Sequence, residues 1–314
     1  MPRTTPSPVS TPPSALDAQH VVVGDGIEPA DAAAVNAGLD ALEQHREVKT
    51  PVIQRFARSV LPPVGAIAII IGVWQWAYTM GFKPDYVLPS PATVFGTIGD
   101  LFASGRAFEV LWTSLSRGVF GFALSVVIGT VIGLILSRNK WLRAGFGPLL
   151  TGLQSLPSVA WVPPALLWFG LSNATYYAVV LLGAVPSMAN GLLSGADQVP
   201  PLYSRVGKVL GLGRWGYIRH VLMPAALPGY LAGLRQGWAF AWRSLMAAEL
   251  IVTTSKLGFG LGQLMDQGRS LSEMDLMLAA VILIFVVWVG IEVLFFRPIE
   301  RVVLRTRGLQ PAGR

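Results

Sequence analysis

The strongest constraint on this chain is that its apolar residues are gathered into blocks long enough to cross a bilayer, several of them ended by basic junctions. A helix needs about 20 consecutive, largely apolar residues to span the hydrocarbon layer. Windows of that kind lie near Leu61–Met80, Leu111–Leu136, Phe146–Phe169, Tyr176–Leu193, Gly229–Val252 and Leu276–Phe296. Segments of this length satisfy every backbone amide in lipid by coiling into helices. The chain therefore reads as an all-α polytopic membrane protein with about six transmembrane helices. Composition agrees, because 53% of the 314 residues are hydrophobic and only 13% are charged, against about 25% charged in soluble domains. The third block is the most interrupted, by Gln154, Pro157, Pro163 and Pro164.

Lysine and arginine orient the blocks. Arg138, Lys140 and Arg143, then Arg205, Lys208, Arg214 and Arg219, then Arg297, Arg301, Arg305 and Arg307 all fall on one side if the N-terminus is cytoplasmic. The loops Gly81–Val110 and Thr253–Asp275 carry mixed charge, so the positive-inside rule puts both ends in the cytoplasm. The net charge of +7 suits loops facing anionic lipid; no aromatic-interleaved basic patch points to nucleic acid. The opening MPRTTPSPVSTPPSA is rich in Pro, Ser and Thr and has no apolar signal-peptide core, so the first span is expected to stay as an anchor. Val35, Leu39 and Leu42 suggest one short amphipathic helix over Pro29–Arg46. The expected organisation is a cytoplasmic tail over 1–58, a transmembrane domain over 59–297 and a basic cytoplasmic tail over 298–314. A further short helix is expected from Pro91, with Val94, Ile98 and Leu101 on one face.

Enzyme chemistry finds few residues to work with. There is no cysteine, and the three histidines are His20, His45 and His220, none inside an apolar block. No HExxH pattern or carboxylate cluster suggests a metal, and no GxxxxGK[ST] phosphate loop is present. The chain reads as non-catalytic, binding no cofactor itself.

The segment Leu202–Pro228, LYSRVGKVLGLGRWGYIRHVLMPAALP, is the most patterned part between spans. Gly207 and Gly211 are four apart, which on one helix would place them on one face and permit close approach of a partner backbone. Leu210, Leu212, Trp215 and Ile218 offer apolar contact, while Arg205, Lys208 and Arg214 supply charge. Pro224 and Pro228 are expected to end the helix. Aligned on Gly211 and closing at Pro224, this segment resembles the EAA loop of type I ABC importer permeases. The blocks YVLPSPATVF, QSLPSVAWVPPALLWFGLS and LPGYLAGLRQGWAFAWRSLMAAEL are similar to permeases of the sulfonate, taurine, nitrate and bicarbonate importer group. The Glu-Ala-Ala triplet falls on Arg205, Val206 and Gly207, so a base stands where relatives have an acid.

The resemblance implies a type I permease fold in a bacterial inner membrane, working as a homodimer. It implies two cytoplasmic ATPase subunits, which hold ATP and Mg and dock on the loop through a coupling helix, and an extracytoplasmic solute-binding protein that largely sets specificity. Sulfonates or taurine are the expected cargo, with nitrate, bicarbonate and a pyrimidine precursor as alternatives. A secondary transporter driven by an ion gradient would leave the basic loop unexplained.

Polar groups inside apolar spans are costly and mark function by default. In the fifth block Arg235, Trp238, Trp242 and Glu249 share one helical stripe, with Gln236 and Arg243 beside it. Arg243 lies deep, so it either lends positive potential to an anion pathway walled by Trp238 and Trp242 or holds helices together, through Glu249 or backbone. Gln154, Ser158 and Trp161, beside the paired prolines, line a possible gate or a packing kink. Glu292 and Glu300 read as balancing the basic C-terminal flank. Gly121, Ser125, Gly129 and Gly133 have small-xxx-small spacing, suited to packing within the subunit.

Overall fold

The protein is described by a computed structural model over residues 52–252 and 257–306; the short helix expected at Pro29–Arg46 lies outside the described residues. Contacts divide the chain after Ser59, and the helical bundle belongs to the second unit, which begins at Val60. All regular structure among the described residues is helical. Helix α1 (Val52–Thr79) leads to α2 (Pro91–Ala103), α3 (Arg106–Arg138), α4 (Lys140–Ser155), α5 (Val162–Phe169) and α6 (Asn173–Asp197). Then come α7 (Pro201–Val209), α8 (Arg214–Tyr217), α9 (Met223–Ile251), α10 (Leu261–Leu271), α11 (Met274–Ile291) and α12 (Arg297–Arg305).

Among the described residues, four helical runs are long and apolar enough to cross a membrane: Leu61–Thr79, Arg106–Arg138, Asn173–Asp197 and Met274–Arg305. The two other expected spans differ in kind. α9 has the length but carries Arg235, Gln236, Arg243 and Glu249. The third block is two helices, α4 and α5, joined through extended Leu156, Pro157 and a 3-10 turn at Ser158–Trp161. The expectation that Pro163 and Pro164 break this block is corrected. Both sit in the first turn of α5, where a missing amide hydrogen has no intrahelical acceptor to lose; the break falls at Pro157.

α6 forms the centre of the bundle, meeting α9 and α3 most extensively. Its Tyr176, Val179, Val180, Ala184, Met188 and Leu192 are fully buried. Small residues set the spacing. Gly121, Gly129 and Gly133 of α3 face Val180, Met188 and Leu192, so this stripe packs within the subunit as expected. On the other side, a Cβ on Gly229 would lie 2.6 Å from the Gly195 Cα, which makes the α6–α9 crossing backbone against backbone. α1 differs, presenting Ile67, Ile69, Ile70, Val73 and Trp76 outward, as a helix solvated by lipid chains would. The Trp74 indole ties it to the Pro89 carbonyl at 3.0 Å. Immediately after, Ser90 caps α2 by accepting from the Thr93 amide, and Val94 and Leu101 turn inward as their spacing predicts.

Candidate functional site

The basic loop folds into a defined shape. α7 ends at Val209, and Gly211 comes two residues later with φ of 69°. The Leu212 amide donates to the Gly207 carbonyl and the Gly211 amide to Lys208, each at 3.0 Å. This is the Schellman ending, whose left-handed residue favours glycine. Two expectations are corrected. Gly207 and Gly211 do not share a helix face, because the helix stops between them. Gly207 serves a close approach within the chain, since a Cβ there would stand 3.0 Å from the Tyr217 ring, whereas a Cβ on Gly211 would point into open space. Tyr217 in turn lies under the Arg138 guanidinium, 4.8 Å from its centroid, which fastens the loop to the end of α3.

Pro224 and Pro228 do not end a helix either. α8 runs through a π-helical turn, Ile218–Leu222, directly into α9. Pro224 occupies the first turn of α9, and the wider π turn before it absorbs the lost hydrogen bond. The result is unbroken helix from Arg214 to Ile251. What remains outward on the loop is a mixed surface. Arg205 and Lys208 are exposed, Val209 is 87% exposed, Trp215 79%, and Leu210 also projects. A groove of about 360 Å³ between Tyr203, Val206, His220, Val221, Pro224 and Ala225 adjoins them.

Arg235, Trp238, Trp242, Arg243 and Glu249 of α9 separate into four groups. Arg235 pairs with Glu292 and lies 3.7 Å from Glu300, so those carboxylates bind α9 to the C-terminal helices rather than merely balancing a basic flank. Trp238 and Trp242 are buried and stacked, centroids 5.8 Å apart, with Phe122 edge-on to Trp238 at 5.3 Å. They belong to the core of the single chain. Arg243 is exposed on α9, its guanidinium 5.5 Å from the Phe240 ring, with no carboxylate partner among the described residues.

Glu249 is fully buried and its partner is Arg117, not Arg243. The Arg117 Nη1 donates to Glu249 Oε1 at 2.9 Å, and the Ser114 hydroxyl donates to Oε2 at 2.7 Å. Sequence reasoning missed Arg117, although the signal was present: it is the only charged residue between Glu109 and Arg138. Near the break in the third block, Gln154 donates to the Ser187 hydroxyl at 2.8 Å and accepts from Asn190 at 3.2 Å, both on α6. Ser158 and Trp161 stand half-buried in the adjoining 3-10 turn. Beyond the α3 end, Arg143 chelates Asp197, which raises the Arg143 pKa further above its ordinary value.

Comparison with known proteins places this arrangement. The family described as "Binding-protein-dependent transport system inner membrane component" matches residues 125–297. The Bacillus subtilis protein that bears the name aliphatic sulfonates transport permease protein SsuC is 32% identical over 240 residues, covering 76% of this chain and 85% of that one. The nitrate import permease protein NrtB of Synechocystis is 29% identical over 223 residues, covering 68% and 80%. Among solved structures, an inward-facing MetNI methionine ABC transporter chain aligns with a TM-score of 0.53 at 19% identity, covering 61% of this chain and 93% of that one.

Proposed function

Since the chain belongs to the binding-protein-dependent transport system inner membrane components and is an ABC importer permease subunit, we propose that it forms the path for a small anionic solute, an aliphatic sulfonate or taurine. Arg243 carries this reading. An arginine cannot deprotonate, and at membrane depth it is tolerated facing a bundle interior or a water-filled cavity. With its guanidinium exposed on one chain and unpaired among the described residues, it suits a surface completed by a second permease copy. Two such arginines would give the path a positive potential for a sulfonate group. Gln154 and Ser158, at the broken third span, supply the other polar positions. Trp238 and Trp242 belong to the buried core, against which Trp161 packs partly buried, and Glu249 belongs to a separate internal pair.

The loop at Leu202–Pro228 is the docking element for a cytoplasmic ATPase, which would hold ATP and Mg. Exposed Val209, Leu210 and Trp215 provide apolar contact, and Arg205 and Lys208 the charge. Arg205, where relatives carry an acid, calls for an acidic patch on the receiving ATPase. Both termini are cytoplasmic in this reading, and a solute-binding protein meets the opposite face. The test is ATP-dependent taurine uptake in vesicles holding the whole complex. A charge-assisted hydrogen bond is worth about 1.5–3 kcal/mol, so Arg243→Gln should lower uptake roughly tenfold to a hundredfold, with Arg243→Lys intermediate. Undiminished uptake by Arg243→Gln would remove Arg243 from the path.

A further inference from the structure

The Arg117–Glu249 pair does more than neutralise two charges. Arg117 and Glu249 are 5% and 0% exposed, and each holds a third element as well as its partner. The Arg117 Nη2 donates to the carbonyls of Leu257 and Gly258, the latter at 3.2 Å. Glu249 Oε2 accepts from the Gly262 amide at 3.1 Å, and the Leu261 amide donates to Ser114 at 2.8 Å. Gly260 is pressed so closely on the carboxylate that a Cβ there would stand 2.5 Å from both oxygens. Alongside, Gln263 and Tyr176 both donate to the Val252 carbonyl, each at 3.0 Å. The segment 257–262 at the start of α10 is thus clamped to the end of α9 and to α3 by buried, charge-assisted bonds, the strong class of hydrogen bond.

At its other end, the helix that carries Glu249 begins inside the basic loop, at Arg214. At 1.5 Å per residue this unbroken helix is roughly 55 Å long. We infer that the Arg117–Glu249 pair is a latch that delivers movement of this rod, started at the ATPase-docking loop, to the opposite face of the permease. The inference rests on the reading above of the Leu202–Pro228 loop as the ATPase-docking element. Arg117 and Glu249 are positioning residues here: they touch no solute, and they decide whether residues 257–268 move with α9 or stay behind. Coupling along a structure needs an element whose arrangement both sites bias, and a stiff rod fastened at both ends meets that need.

The experiment uses the complete complex in lipid nanodiscs, with hydrogen exchange measured at residues 201–222 and 257–268, without nucleotide and with ATP and Mg trapped. Arg117→Lys keeps the charge but cannot hold Glu249 and both carbonyls together. The pair R117M/E249L removes both charges, which avoids a lone buried ion and keeps the test valid should the lysine variant fail to assemble. In the unmodified complex ATP is expected to change exchange at both segments. In either variant the change should persist at 201–222 and vanish at 257–268, with taurine uptake down at least tenfold. A nucleotide response that reaches 257–268 undiminished in either variant overturns the latch. A lack of response at 201–222 in the unmodified complex instead overturns the reading of the Leu202–Pro228 loop as the ATPase-docking element.

Discussion

Gly211 offers a prediction that separates two reasons for a glycine. The spacing in the sequence suggests room for a partner's backbone; the structure shows a residue with φ of 69° whose added Cβ would meet nothing within 4 Å. An L-residue with a Cβ in the left-handed region costs about 1–2 kcal/mol, and asparagine tolerates that region better than most. Gly211→Ala should therefore cost about 1–2 kcal/mol in the geometry of the loop. That is roughly a five- to thirtyfold shift in the ratio of loops shaped for docking to loops that are not. Gly211→Val should cost more, because β-branched residues are least at home there. Gly211→Asn should cost a few tenths of a kcal/mol, about the scale of a tolerated turn exchange. The assay is solute transported per ATP hydrolysed in the reconstituted complex, with ATPase retention measured by co-purification. The order Asn above Ala above Val is expected. An asparagine variant as impaired as the valine variant would refute the backbone argument and restore close approach as the reason for Gly211.

Two further outcomes rest on the packing. Gly195→Ala would set a Cβ 2.5 Å from the Ala226 carbonyl oxygen and 3.1 Å from the Tyr230 amide. Overpacking of this kind costs about 1–3 kcal/mol, seen as a lower melting temperature in detergent, whereas Gly152→Ala, with nothing within 4 Å, should be neutral or stabilising; equal melting of the two would contradict the crossing described. Arg235→Gln leaves the largely buried Glu292 carboxylate without its ion partner and should destabilise by about 1–3 kcal/mol. The double exchange of Arg235 and Glu292 to Gln should recover part of that loss, and a double variant as unstable as the sum of the singles would show the pair to be unimportant.

Much of the fold could be read from the sequence, because bilayer thickness translates directly into block length. All six apolar blocks correspond to helices or helix pairs at nearly the expected places, and α2 was marked by Pro91 and the spacing of Val94, Ile98 and Leu101. The stripe from Gly121 to Gly133 declared its packing face through period alone. Proline was harder. A proline forbids one hydrogen bond wherever it stands, but whether the helix stops depends on its neighbours. At Pro157 the chain breaks, at Pro163 and Pro164 a helix begins, and at Pro224 a π turn lets the helix run through.

The polar residues show the same division. Composition and spacing determined that charges lie inside apolar helices, and cost alone made each of them notable. They could not determine pairing, because a guanidinium finds its partner across the bundle and not along the chain. Glu249 and Arg243 are six positions apart and do not meet, whereas Glu249 and Arg117 are joined across 132 positions at 2.9 Å. The sequence by itself thus determined that this is a helical membrane protein with a basic, patterned loop between spans and with charge kept inside its apolar blocks. Only the tertiary structure decided which charges are spent on each other and which one, Arg243, is left facing outward. That choice comes from where α3, α6 and α9 cross, and their crossing is set by small residues that let the backbones touch.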